Sequence, residues 1–441
     1  MTSLSKRRRV MGTLNSCDVT EQEAARDADV EVVTGNTRVE TVSSMAHYLA
    51  GSVCALLMVL CAVTSEANNV PPYTEDCRTG LYPPSGPTFA GTVSWVDVDL
   101  DLPPRERWTE LVKSKKTELV LLVDLVKKLA SSLLPEGQLI RFVDKELPIL
   151  GKTFPPPFPE ELESVAQASG IPIGEIVLYN LFYEVFTVCT SIVAQDQKGH
   201  IFHARNLDFG LFLGWDRTNN TWAMTERLSD LVVNVNAQRG GKTVFRSTTF
   251  VGYLGILTGE HPGLFTLTMN ERFNLDGGYL GILEWLLGHR TGHWMSFLTR
   301  AVLENATSYD EAKTILSTTE LLAPAYYILG GYKPGQGCVI TRARTSCLDV
   351  WTLNVTRGRW FVLETNYDRW RPPFFWDDRR TSATECLERT GAANVSVKTI
   401  YDVLSTKPVL NKLTVYTSLM SLQSDTYEAY RRVCPDPCMP W

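Results

Sequence analysis

The residues of this sequence best placed to do chemistry are Cys189, Arg205 and Asp208. A thiol beside a guanidinium is a candidate nucleophile, because a neighbouring positive charge favours the thiolate. A carboxylate close by would offset the excess positive charge. The three come together if residues 187–194, rich in β-branched side chains, and residues 201–206 form a hairpin turned at the polar stretch 195–199, which ends in glycine. The competing reading is structural. Free cysteine is among the most buried residue types, and Arg205 with Asp208 would then be an ordinary ion pair.

A thiol nucleophile needs a base. The chain has only six histidines. His200 and His203 lie near Cys189 in sequence, but a papain-like pair draws its histidine from a distant segment. A free α-amine on Cys189 would meet the need, since an N-terminal nucleophile carries its own base. With a reference pKa of about 7.7–8.0, that amine would be mostly protonated in an acidic compartment. Arg205 would lower its pKa and stabilise the thiolate as well.

Cys189-Thr190-Ser191, Arg205 and Asp208 resemble the nucleophile hairpin of the N-terminal-nucleophile (Ntn) amidohydrolases, in their cholylglycine-hydrolase and acid ceramidase branch. Asn270-Glu271-Arg272, Glu364-Thr365-Asn366-Tyr367-Asp368 and Asp377-Asp378-Arg379-Arg380-Thr381 resemble further motifs of that family, in its order. The likeness runs from about residue 68 to residue 441. The segment from Gly277 to Trp285 and Cys434-Pro435-Asp436-Pro437-Cys438 resemble the ceramide-cleaving members rather than the N-acylethanolamine acid amidases.

The resemblance implies an α+β fold, an αββα sandwich preceded by a mostly helical pro-segment. It implies self-cleavage of Val188–Cys189, which makes Cys189 N-terminal and divides the chain into a small subunit, 68–188, and a catalytic subunit, 189–441. By the same resemblance Asn366 belongs to the oxyanion hole, Arg379 organises the site, and Asn270 and Glu271 line it. Disulfides are implied for Cys77 with Cys386, joining the two subunits, and for Cys434 with Cys438. No cofactor and no metal are implied. The activity implied is a lysosomal amidase, also secreted, that hydrolyses ceramide in lysosomal membranes to a sphingoid base and a fatty acid, with a saposin-type lipid-transfer activator as partner. The rival readings are an acylethanolamine amidase of the same fold and a secreted lipid-binding protein without turnover.

Composition limits the field. A formal charge of −6 over 441 residues leaves no basic footprint for nucleic acid. Ten cysteines and Asn-x-Ser/Thr sequons at Asn219, Asn305, Asn354 and Asn394 point to a secreted or lysosomal glycoprotein. Residues 1–44 hold the basic run Lys6-Arg7-Arg8-Arg9 and then a polar, acidic stretch, and read as a disordered upstream extension. The apolar run 49–63 is short for a bilayer span, which needs about 20 residues. It suits the core of a signal peptide over 45–67, with Met45 as the working start; a short membrane anchor is the other reading.

The elements that must position the hairpin follow from periodicity. A strand is expected over 92–100, a long helix from Pro103-Pro104 to about 134, a proline-rich linker over 153–159, and helices over 160–169 and 172–182. Beyond the hairpin, strands are expected over 231–238, 243–250, 264–269, 326–330, 338–342, 347–353, 360–365 and 413–418. Helices are expected over 278–288, 292–304, 309–317, 377–389 and 396–405. Strand runs between helix runs fit two packed sheets with helices outside. The 278–288 helix is apolar nearly all round, so it is either core or a surface that meets lipid. Cys338 and Cys347 fall on neighbouring strands and could pair, although the resemblance does not support a bridge there.

Overall fold

The β-branched run that begins at Thr187 forms the strand Thr187–Gln195, and its partner runs Ile201–Phe209. The second strand therefore extends past the polar residues at which the sequence suggested it would stop. Asn206 and Asp208 are both fully buried, and the fold satisfies them. Asn206 donates to the carbonyls of Leu404 (2.8 Å) and Val409 (3.0 Å), and Asp208 accepts from Thr414 (2.6 Å) and Asn411 (3.2 Å). A buried polar group with partners no longer ends a strand.

This is a computed structural model that describes residues 77–133, 142–182, 187–209, 214–273, 280–286, 288 and 291–438. The upstream extension expected over 1–44, the signal peptide over 45–67 and parts of the 278–288 helix lie outside the described residues.

The hairpin lies inside a six-stranded sheet, ordered Phe89–Thr92, Thr426–Arg432, Thr414–Ser421, Ile201–Phe209, Thr187–Gln195, Phe361–Glu364. A second sheet of eight strands is ordered Cys347–Thr352, Gly337–Arg342, Ala325–Gly331, Phe265–Glu271, Thr258–His261, Lys242–Phe250, Val232–Arg239, Trp95–Asp99. Side chains alternate across a strand, so Cys189, Ser191 and Val193 share a face with His203, Arg205 and Leu207. That face meets the second sheet. Ser191 bonds to Asn270 and Thr268, His203 to Thr266 and Thr268, and Val193 packs with Tyr326, Ile328 and Val339. The opposite face, with Ile192, Ala194 and Ala204, packs under the helices Arg379–Thr390 and Val397–Leu404 through Leu387, Ile400 and Leu404. Helices Met295–Asn305 and Tyr309–Thr318 cover the outside of the eight-stranded sheet. The result is the αββα layering that the resemblance implied.

The segment before Cys189 is woven into this sandwich. Its strand Phe89–Thr92, not expected from the sequence, edges the six-stranded sheet, and Trp95–Asp99 edges the other in parallel pairing. The long helix is broken at Lys115 into Thr109–Ser114 and Lys116–Leu133. Tyr179 donates to the Val251 carbonyl at 3.0 Å, and Asn180 donates to that of Gly252 at 3.1 Å and accepts from the Leu254 N–H at 2.8 Å. Glu161, fully buried, takes a bidentate pair from Arg300 (2.5 and 2.8 Å) and a further bond from Arg107 (3.0 Å).

Disulfides join Cys77 to Cys386 and Cys434 to Cys438. Cys338 is a free, buried thiol opposite Thr352, whereas Cys347 lies opposite Arg342, so the two do not pair. Asn219, Asn305 and Asn394 are exposed and Asn354 is partly so. Within the helix Leu280–Leu286, Trp285 is core, packed between Phe154 (ring centroids 5.3 Å apart) and Trp294 (5.1 Å). Among the described residues no helix is long and apolar enough to cross a membrane.

Candidate active site

The chain runs unbroken from Val188 into Cys189. In the hairpin register Cys189 lies opposite Leu207 and Ser191 opposite Arg205. Arg205 is therefore the diagonal neighbour of Cys189 on the same face. Its guanidinium donates to the Cys189 thiol, and is aimed there by the carbonyls of Leu257 (2.5 Å) and Met269 (3.2 Å) and the hydroxyl of Thr258 (3.1 Å). Asp208 lies opposite Val188, on the other face of the hairpin, and its charge still reaches the Cys189 thiol and raises its pKa. The two-residue period of a strand forbids Arg205 and Asp208 from sharing a face.

Arg379 reaches Asp208 instead. Asp378 caps the helix Arg379–Thr390 by accepting the Thr381 N–H at 2.9 Å, which sets Arg379 as the first helical residue, facing the hairpin. A cation there opposes the helix dipole. Asp377 offsets it with a two-point ion pair (2.7 and 2.9 Å), and the Tyr367 hydroxyl donates to the same carboxylate at 2.7 Å. So held, Arg379 donates to the Cys189 carbonyl (2.5 Å), the Thr190 hydroxyl (3.3 Å), the Asn366 side-chain oxygen (2.9 Å) and Asp208 (3.4 Å). It links the carboxylate to the backbone of Cys189.

Asn366 follows the strand Phe361–Glu364, and Asn270-Glu271 ends Phe265–Glu271, so strand ends from both sheets converge on Cys189. The Asn366 oxygen accepts the Cys189 N–H at 2.9 Å; its amide donates to the carbonyls of Glu271 (2.7 Å) and Thr187 (3.4 Å). In the uncut chain this amide is thus engaged with neighbours of the Val188 carbonyl. Glu271 accepts the Thr187 N–H at 3.2 Å. Asn270 is a stitch between sheets, accepting from Ser191 (2.9 Å) and donating to the carbonyls of Glu364 (3.1 Å) and Thr365 (2.8 Å).

Burial dominates the electrostatics. Cys189 is completely buried, and this pushes its thiol up to about 11 against the opposing pull of Arg205. Asp208 is likewise pushed up to about 6 by burial, with Arg379 and the hydrogen bonds of Thr414 and Asn411 pulling the other way. His203 is held down to about 3 by burial and by Arg205, and both its ring nitrogens are taken by threonine hydroxyls (2.8 and 3.1 Å). His200 pairs with Asp196 on the turn (3.1 Å). Neither His200 nor His203 serves the thiol. Among the described residues no cluster suits a metal ion.

Sequence reasoning missed Tyr367, Asn411 and Thr414, and gave Asp377 no role. Tyr367 and Asp377 lie inside motifs already singled out. Asn411 and Thr414 carry no local signal, because what they contact lies some two hundred residues away.

Comparison with known proteins adds the following. The family of linear amide C-N hydrolases, choloylglycine hydrolase family, matches residues 189–385, and the beta subunit of N-acylethanolamine-hydrolyzing acid amidase matches residues 91–154. Acid ceramidase of Homo sapiens is 55% identical over 393 residues, covering 89% of this chain and 100% of that protein. Acid ceramidase of Mus musculus is 53% identical over 390 residues, covering 88% and 99%. A solved structure of the Caenorhabditis elegans N-acylethanolamine-hydrolyzing acid amidase ortholog is 36% identical, covers 56% of this chain and 100% of that one, and has a TM-score of 0.47.

Proposed function

The chain belongs to the acid ceramidase family, and from that premise we propose a lysosomal amidase that cuts its own Val188–Cys189 bond and then hydrolyses ceramide. The observation that carries the reading is the grip on that bond: Arg205 on the thiol, Asn366 on the Cys189 N–H, Arg379 on the Cys189 carbonyl. The family match beginning at Cys189 supports the same cut.

Cleavage proceeds by attack of the Cys189 sulfur on the Val188 carbonyl carbon. The C–N bond breaks as the nitrogen takes a proton, leaving a thioester and a free α-amine on Cys189. Water then hydrolyses the thioester to a Val188 carboxylate and a thiol. In turnover the same sulfur attacks the ceramide carbonyl. The developing oxyanion draws on the Asn366 amide, freed from its uncut-chain partners. The α-ammonium of Cys189 protonates the departing sphingoid amine, and the resulting α-amine activates the water that releases the fatty acid. Arg205 stabilises thiolate, and Asp208 balances the cation of Arg379.

The finer parts of the reading are a saposin-type activator that presents the lipid, glycosylation at Asn219, Asn305, Asn354 and Asn394, and secretion of a fraction of the protein. The test is incubation of purified, acid-treated protein with ceramide and with an N-acylethanolamine, with and without saposin. Release of a sphingoid base supports the reading. Preference for the acylethanolamine overturns the substrate, and no release from either overturns the enzyme.

A further inference from the structure

Tyr416 stands in one row with Cys189. In the six-stranded sheet it lies opposite Leu207, and Leu207 lies opposite Cys189 on its other side. The two-residue period of a strand would put Thr414 and Tyr416 on one face. Thr414 nevertheless lies opposite Asp208 and bonds to it on the far face. The register shifts between Thr414 and Tyr416, and this bulge turns Tyr416 toward the thiol side.

The Tyr416 phenol is fully buried and reaches across to the eight-stranded sheet. There it meets the Thr258 hydroxyl at 2.8 Å and the Thr248 carbonyl at 3.3 Å. Arg205 donates to the same Thr258 oxygen at 3.1 Å. A guanidinium can only donate and a carbonyl can only accept. The Thr258 proton therefore goes to the Tyr416 oxygen, and the Tyr416 proton to the Thr248 carbonyl. No other arrangement gives both buried hydroxyl protons an acceptor. The phenol thus fixes a Thr258 lone pair on Arg205.

The neutrality of these partners matters. Arg379 is held by the carboxylates of Asp377 and Asp208. Arg205 is held by the carbonyls of Leu257 and Met269, the Thr258 hydroxyl and the Cys189 thiol, and no carboxylate pairs with it among the described residues. Neutral acceptors aim a cation without cancelling its charge, so its pull is left for the sulfur. Burial pushes the Tyr416 phenol up to about 12, against Arg205 and the Thr258 hydrogen bond, and so keeps it neutral.

We propose that Tyr416 is a positioning residue that, through Thr258, holds the Arg205 guanidinium on the Cys189 sulfur. The proposal deepens the amidase reading and rests on it for what the sulfur does. The test is the pH at which Cys189 of acid-treated protein begins to react with iodoacetamide, set beside kcat and KM for detergent-dispersed ceramide. Parent, Tyr416→Phe, Thr258→Val and Thr258→Ser are compared, and thermal melts check that each is folded. The labelling midpoint is expected to rise by about half a unit to one unit in Tyr416→Phe and Thr258→Val. Their kcat should fall about three- to ten-fold with KM unchanged. Thr258→Ser keeps the hydroxyl and should recover most of the loss. The other charges that act on the thiol, Asp208, Arg379 and Glu271, are untouched in these variants. If Tyr416→Phe does not fold, the two Thr258 variants decide. Folded variants with the parent's midpoint overturn the proposal, even where kcat falls, because a merely structural defect would do that. The labelling needs no substrate. A parent whose Cys189 labels but which releases no sphingoid base sinks the amidase and leaves the positioning standing, and variants that label and turn over like the parent do the reverse.

Discussion

Asn366 holds the backbone N–H of Cys189 through its side-chain oxygen at 2.9 Å, while its amide nitrogen donates to the Glu271 carbonyl at 2.7 Å. One side chain thus spans the amine side of the Val188–Cys189 bond and the end of the facing sheet. Replacing it removes both the grip and the amide that an oxyanion would use. Asn366→Ala is expected to slow self-cleavage and ceramide turnover by about 10²–10³-fold each. Fragment formation on gels and release of sphingoid base measure the two rates. A variant that cuts itself at the parent's rate would remove Asn366 from the first step.

The Cys189 thiol is buried and pushed up to about 11, so the uncut chain should resist alkylation. Iodoacetamide at neutral pH is expected to leave both Cys189 and the buried Cys338 unmodified in freshly made protein. After acid treatment Cys189 should react rapidly and Cys338 should not. Mass spectrometry of the peptides decides. Equal labelling of Cys189 before and after treatment would mean that cutting does not uncover it.

Glu161 links the segment before Cys189 to the catalytic body through Arg300. Burial works against its charge, but the arginine outweighs burial and the carboxyl lies below its ordinary value. A depressed folded-state pKa contributes stability that is complete above the ordinary carboxylate range and is lost as pH falls through the folded value. The link should therefore hold in a mildly acidic compartment. Glu161→Gln leaves a buried guanidinium short of its partner, and is expected to cost about 3–5 kcal/mol at neutral pH. Denaturant melts of a Cys189→Ala background should show that gap narrowing as the pH falls below the ordinary carboxylate range and through the folded value. A gap that stays constant with pH would mean that the pair is not what ties the segment down.

How much of this was readable in advance depends on how local the signal is. The hairpin was legible because β-branched runs and a glycine turn are local, and the likeness of its motifs pointed to Arg379 and Asn366. The face on which Asp208 lies was hidden behind a polar residue type that usually ends strands. Register decides it, and the partners that make burial tolerable, Thr414 and Asn411, come from the far end of the chain. The apolar helix could be read two ways, and what covers Trp285 in the uncut chain, Phe154, comes from a proline-rich stretch that read as linker. Composition of one helix does not reveal what is packed on it.

The Cys77–Cys386 bridge ties the segment before Cys189 to the helix that presents Arg379. After cleavage the two fragments should run as one species without reductant and as two with it. Cys77→Ser is expected to let them separate on a denaturing gel under both conditions, while Cys434→Ser, which opens only a short terminal loop, should not. Fragments of the parent that separate without reductant would show that the bridge is absent from the cut enzyme.

The most direct test of the whole account is N-terminal sequencing of the active enzyme, set beside the chain made from Cys189→Ala. The account predicts that the larger fragment of active protein begins at Cys189, and that the variant remains a single chain without amidase activity. An intact single chain that hydrolyses ceramide, or a larger fragment that begins elsewhere, would contradict it.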